Sequence, residues 1–144
     1  MVGAGGCLFC SIARGEQPAA RVHEDGETVA FLDHRPLFPG HVLVVPREHF
    51  PTLLELPTEQ MAPFFGTVRR VARVLELVLG CEGSFVALNN KVSQSVPHLH
   101  AHVVPRTRGD GLKGFFWPRQ SYRDADHQEE VRARIAAALQ DRSR

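Results

Sequence analysis

Three histidines alternate with apolar residues in the run His98-Leu99-His100-Ala101-His102-Val103-Val104. In an extended chain successive side chains point to opposite faces, so the three imidazoles share one face and Leu99, Ala101 and Val103 the other. A solvated strand face is ordinarily built of Thr, Lys, Glu and Ser, so a row of titratable rings marks a functional surface. Two chemistries use such a row. In one, a neutral imidazole attacks phosphorus while neighbouring imidazoles and amides hold the negative oxygens. In the other, two or three histidines hold a zinc ion that activates water. The surroundings favour the first. Asn89, Asn90, Gln94 and Ser95 supply hydrogen-bonding groups just ahead of the row, whereas no Asp or Glu that could act as a base lies between Gly83 and Thr107. A distant carboxylate such as Asp33 keeps the second open.

Cys7-Leu8-Phe9-Cys10 spaces two thiols within reach of one metal or of simple packing against each other. The third cysteine, Cys81, reads as a core thiol, and so small a number fits a reduced compartment better than a disulfide framework. His23 and His127 read as surface residues, His41 as the start of a strand, and Arg106 and Arg108 as surface charge.

The elements that must position these groups fit one domain of 144 residues. Residues 1–6 read as a disordered tail, and Cys7 to Arg14 as a short helical turn. Asp25-Gly26 is a hairpin signal between strands Arg21–Glu24 and Glu27–Leu32. His41 to Val45 is a β-branched run stopped by Pro46, expected to be buried on both faces. Phe64, Val68, Val71, Leu75 and Val78 recur at helical spacing within 57–79, with Pro63 as a start or kink. Ser84–Leu88 and His98–Val104 read as two more strands. An aromatic loop, 109–118, and a terminal helix, 126–140, follow; Phe115, Phe116, Trp117 and Pro118 read as core, dimer contact or substrate wall. The pattern predicts an α+β fold: an antiparallel sheet of about five strands, one long helix and a C-terminal helix.

Seventeen Lys and Arg against 16 Asp and Glu leave a formal charge of +1, so no global field draws in nucleic acid or membrane. The N-terminus lacks a signal peptide and no apolar stretch is long enough to span a bilayer, which predicts a cytoplasmic protein.

The run HLHAHVV, with Gln94-Ser95-Val96 before it, resembles the His-φ-His-φ-His-φ-φ signature of the histidine-triad (HIT) family, where φ is an apolar residue. CLFCSIARGEQPA and VAFLDHRPLFPGHVLVVPREH resemble the Hint-like branch, so the likeness covers residues 7–106, with 107–144 completing the same domain. The resemblance implies a purine nucleotide hydrolase or transferase acting at an α-phosphate. The substrate would be a nucleoside phosphoramidate, an acyl-adenylate or a dinucleoside polyphosphate. His100 would be the nucleophile, carrying a transient nucleotidyl group, with His98 and His102 orienting or protonating oxygens. Phe9, Ile12, Leu32 and His34 would enclose the purine, Asp33 would bind the ribose, and Asn89, Gln94 and Ser95 would meet sugar or phosphate. It also implies a structural zinc on Cys7, Cys10, His49 and His98, no free metal in catalysis, and a homodimer. Many members carry two more residues, often glycines, where this chain has Lys91-Val92-Ser93. Two rivals stand beside this reading: a zinc-dependent hydrolase, and a nucleotide-binding regulatory module with negligible turnover.

Overall fold

Five strands make one antiparallel sheet in the computed structural model, which describes residues 4–113 and 119–141. They are β1 (Arg21–Glu24), β2 (Thr28–Leu32), β3 (Val42–Pro46), β4 (Gly83–Ala87) and β5 (Ala101–Arg106), in the order β1-β2-β3-β5-β4. The helices are α1 (Leu8–Ala13), α2 (Thr58–Leu79) and α3 (Ala125–Gln140). The chain divides into two compact units, Met1–Asp110 and Gly111–Arg144. The first holds the sheet, α1 and α2. In the second, Asp124 caps α3 by accepting from the His127 N–H at 2.7 Å, and no residue of the helix is buried.

The apolar run at residues 42–46 becomes the central strand β3, buried at every position and covered on both faces. On one face Val42, Val44, Ala101 and Val103 pack against Phe64, Val68 and Leu75 of α2. On the other, Leu43 and Val45 meet Phe9, Cys10 and Ile12 of α1, with Val29 and Phe31 of β2. Direct pairing of Leu43 with His102 and of Val44 with Ala101 fixes which face each residue of β5 takes. The triad side chains therefore share the α1 face.

Several boundaries differ from the sequence pattern. Residues 4–6 of the expected tail make a 3-10 turn, and residues 1–3 lie outside the described residues. Pro46 does not stop β3 but closes it, paired with Thr28. Proline cannot donate to a ladder, which a strand end tolerates. Pro63 does not begin α2; it sits one turn and a half inside the helix, so the bond it removes lies near the N-terminal end. Thr67 Oγ1 instead donates to the Pro63 C=O at 3.0 Å and lies 3.1 Å from the Thr28 hydroxyl, tying α2 to the first hairpin. The ladder of β5 starts at Ala101, so His98 and His100 precede it in an extended segment whose Leu99 N–H donates to the Phe50 C=O. Phe115, Phe116, Trp117 and Pro118 lie outside the described residues.

Phe64 is 1% exposed at the centre of the α2 face. Phe64→Ala is expected to lower stability by about 3–5 kcal/mol, read as a drop in the urea midpoint at unchanged slope. A loss under about 1 kcal/mol would contradict this packing.

Candidate active site

Each triad ring has its protons placed by backbone groups. His100 Nδ1 donates to the His98 C=O at 2.8 Å, leaving the lone pair on Nε2. His98 Nε2 donates to the Pro46 C=O at 2.8 Å, leaving its lone pair on Nδ1. For His102 the constraint arrives through another ring. The Leu37 N–H donates to His41 Nδ1 at 3.1 Å, so His41 carries its proton on Nε2 and donates to His102 Nδ1 at 2.9 Å. His102 is then left with a proton on Nε2. The ring centroids of His100 and His102 lie 5.0 Å apart, and the Phe9 ring stands edge-on to His100 at 5.0 Å.

His98 turns away from the other two. Its Nδ1 lies 3.4 Å from both Cys7 Sγ and Cys10 Sγ, and His49 Nδ1 lies 3.3 Å from Cys10 Sγ. These four ligand atoms all fall within 4.8 Å of one another. Sulfur and nitrogen ligands on a tetrahedral zinc are separated by about 3.5 Å, so the set fits that ion, with the Pro46 carbonyl orienting His98 from behind. Burial pushes the Cys10 thiol up to about 11, and the neighbouring Cys7 adds to the shift. Ionising two such adjacent buried thiols takes a cation beside them. A second cluster, Asp33, His41 and His102, also brings ligand atoms within 4.8 Å. A metal on His41 Nε2 would force the proton of that ring onto Nδ1, against the Leu37 N–H; His41 instead hydrogen-bonds His102, with Asp33 3.7 Å away.

A cavity of about 560 Å³ opens over His100 and His102. Its walls include Phe9, Ile12, Phe31 and Leu43, and its polar groups include Asp33, His34 and Ser95. Phe9, Ile12, Leu32, Asp33, His34, Ser95, His100 and His102 are thus brought together around one cavity. Gln94, Asn89 and His98 are not. The Gln94 amide donates to the Pro51 C=O at 2.6 Å and accepts from the Lys91 N–H; Asn89 donates to the Ser93 C=O at 3.1 Å. Both hold the loop rather than line the cavity, and of the two roles expected of His98 the geometry favours the one beside the cysteines.

Lys91 and Ser93 have φ of 73° and 61°, the left-handed region that glycine enters most easily. The loop keeps a backbone suited to glycine without the glycines. Arg106 and Arg108, read as surface charge, pair with Asp110 and Glu82. His41 is the residue that sequence reasoning missed. Only 3% exposed, it lies 3.7 Å from Asp33 Oδ2 and directly behind His102. The signal was its place beside a run buried on both faces, where an imidazole needs polar partners on each nitrogen.

Against known proteins, the HIT domain profile matches residues 14–109. An uncharacterized HIT-like protein of Mycobacterium tuberculosis is 37% identical, covering 94% of this chain and 99% of that protein. A protein of Schizosaccharomyces pombe named adenosine 5′-monophosphoramidase is 34% identical over 78% of this chain and 83% of its own. The crystal structure of a zinc-bound histidine triad family protein from Mycobacterium smegmatis is 36% identical. It superposes with a TM-score of 0.72 over 99% of this chain and 100% of that one.

Burial lowers both cavity histidines, His100 and His102, from the ordinary 6.5. For His102 the charges of His100 and His41 take it further, to about 4. The native state then binds fewer protons than the unfolded chain between 6.5 and about 4, so their contribution to stability is whole above 6.5 and is lost as pH falls through that window. Urea midpoints are expected to fall on acidification from 6.5 towards 4, while ring nitrogen shifts still report neutral His102 at about pH 5. A His102 ring already charged there would contradict its burial.

Proposed function

The chain belongs to the HIT domain family, and from that premise we propose that it hydrolyses or transfers at the α-phosphate of a purine nucleotide, with His100 carrying the nucleotidyl group. One observation carries the reading: the His98 carbonyl holds the His100 proton on Nδ1, so a neutral, unprotonated Nε2 is available at the cavity. A nucleophile that is already deprotonated needs no separate base. Attack forms the bond from Nε2 to phosphorus and breaks the bond to the leaving group, which departs with a proton taken from water, while the His102 Nε2–H donates a hydrogen bond to a phosphate oxygen. Water then attacks the same phosphorus, releasing His100 and giving up its proton to solvent. His41 acts on His102 alone, holding its tautomer through both steps.

Phe9, Ile12, Leu32 and His34 enclose the base in this reading, Asp33 accepts from the ribose hydroxyls, and Ser95 donates to the phosphate. Among the described residues the cavity is lined by no Lys or Arg. That suits a leaving group without phosphates of its own, an amine or a carboxylate, more than a dinucleoside polyphosphate. The activity named for the S. pombe relative is of this kind. Cys7, Cys10, His49 and His98 would hold a zinc ion whose contribution is structural: it fixes His98, and through the His98 carbonyl the ring of His100. Two copies would pair through β4, the last strand of the sheet, and the exposed Val74, Leu77 and Val78 of α2.

Rapid quench with adenosine 5′-phosphoramidate followed by intact mass spectrometry is expected to show an adduct of AMP mass on the wild type and none on His100→Ala. Binding without adduct or turnover would leave a nucleotide-binding regulatory module. Metal analysis of the purified protein is expected to find about one zinc per chain, lost in the Cys7→Ser, Cys10→Ser double variant. Wild-type protein that stays metal-free in added zinc would remove the zinc assignment.

A further inference from the structure

One side-chain amide lines the nucleotide cavity with no part in the reaction. Gln17 lies on the loop between α1 and β1, beside Pro18, Ala19 and Ala20 of the same wall. The apolar side chains with which it shares the cavity, Phe9, Ile12, Phe31 and Leu43, are all buried. They can cover the faces of a purine, but they offer nothing to the polar atoms on its edge.

Three backbone groups of that wall are already engaged. The Gln17 N–H donates to the Ser11 C=O at 3.2 Å, the Ala19 C=O accepts from the Arg21 N–H at 3.0 Å, and the Ala20 C=O accepts from the Leu32 N–H at 2.9 Å. Of the polar side chains in the cavity, Ser95, His100 and His102 belong to the phosphate and Asp33 to the sugar, and the His34 ring is 85% exposed with its Nδ1 3.8 Å from Asp33 Oδ1. The Gln17 amide is left to meet the base.

We propose that Gln17 reads the base, pairing with the N6 amino group and N7 of adenine and making the site favour adenine over guanine. The inference rests on the nucleotide reading given above. A carboxamide presents a donor and an acceptor side by side, which is the two-point complement of adenine N6–H and N7. On the same edge guanine presents two acceptors, O6 and N7, so the amide oxygen faces one of them unpaired. A desolvated polar group left without its partner corresponds to roughly a tenfold loss in affinity.

Calorimetric titration with AMP, GMP and purine riboside 5′-monophosphate, which lacks the exocyclic group, tests this without depending on turnover. Wild type is expected to bind AMP about tenfold more tightly than either of the others. Gln17→Met keeps the apolar stem and removes the amide. It is expected to weaken AMP about tenfold and to bring the three ligands within about twofold of one another. An AMP to GMP ratio unchanged by the substitution overturns the inference while leaving the nucleotide site standing. If none of the three binds the wild type, the nucleotide reading falls and this inference falls with it.

Discussion

Two backbone carbonyls, those of Pro46 and His98, decide which nitrogen of each neighbouring imidazole is free, and the site is organised around that choice. The Pro46 carbonyl turns the lone pair of His98 toward the cysteines; the His98 carbonyl turns the lone pair of His100 toward the cavity. One residue is therefore acceptor for its neighbour and donor to the central strand. Displacement of His98 would misalign His100 without touching it, because a hydrogen bond of 2.8 Å tolerates little lateral shift. The cysteine cluster and the cavity are in this sense one device with a shared hinge.

That device needs a rigid floor. β3 is buried on both faces, with α2 packed on one side and α1 on the other. The α1 face carries the chemistry, and the α2 face carries the large apolar residues that hold the sheet. Alternation along the segment 98–103 assigns Leu99, Ala101 and Val103 to the second task and the histidines to the first. A slip of one residue in the β3–β5 register would exchange the two, burying imidazoles under α2 and presenting Leu99 to the cavity.

Much of this was legible in the chain itself. Strong local signals survive because they depend on few neighbours: the Asp25-Gly26 turn, the run 42–45, the helical spacing of Phe64 to Leu75, and the alternation at 98–103. The roles that depend on where a side chain turns were not. Gln94 has the donors to hold a phosphate, yet the turn at Lys91 places a backbone N–H against its oxygen and the Pro51 carbonyl against its nitrogen. His41 looked like the first residue of a strand; its role comes from the Leu37 amide, four residues earlier, and from pairing of β3 with β5, 61 residues away in the case of His102. Pro46 and Pro63 were read by their cost to a ladder or a helix, and each falls where that cost is small.

The relay behind His102 ends on the Leu37 peptide N–H, a donor that accepts no proton in return. The chain of rings consequently fixes orientation and ends in the backbone. The one ring N–H that His102 presents, on Nε2, therefore faces the cavity and whatever molecule occupies it. Occupancy supplies that donor with its acceptor, and the rings behind it stay neutral.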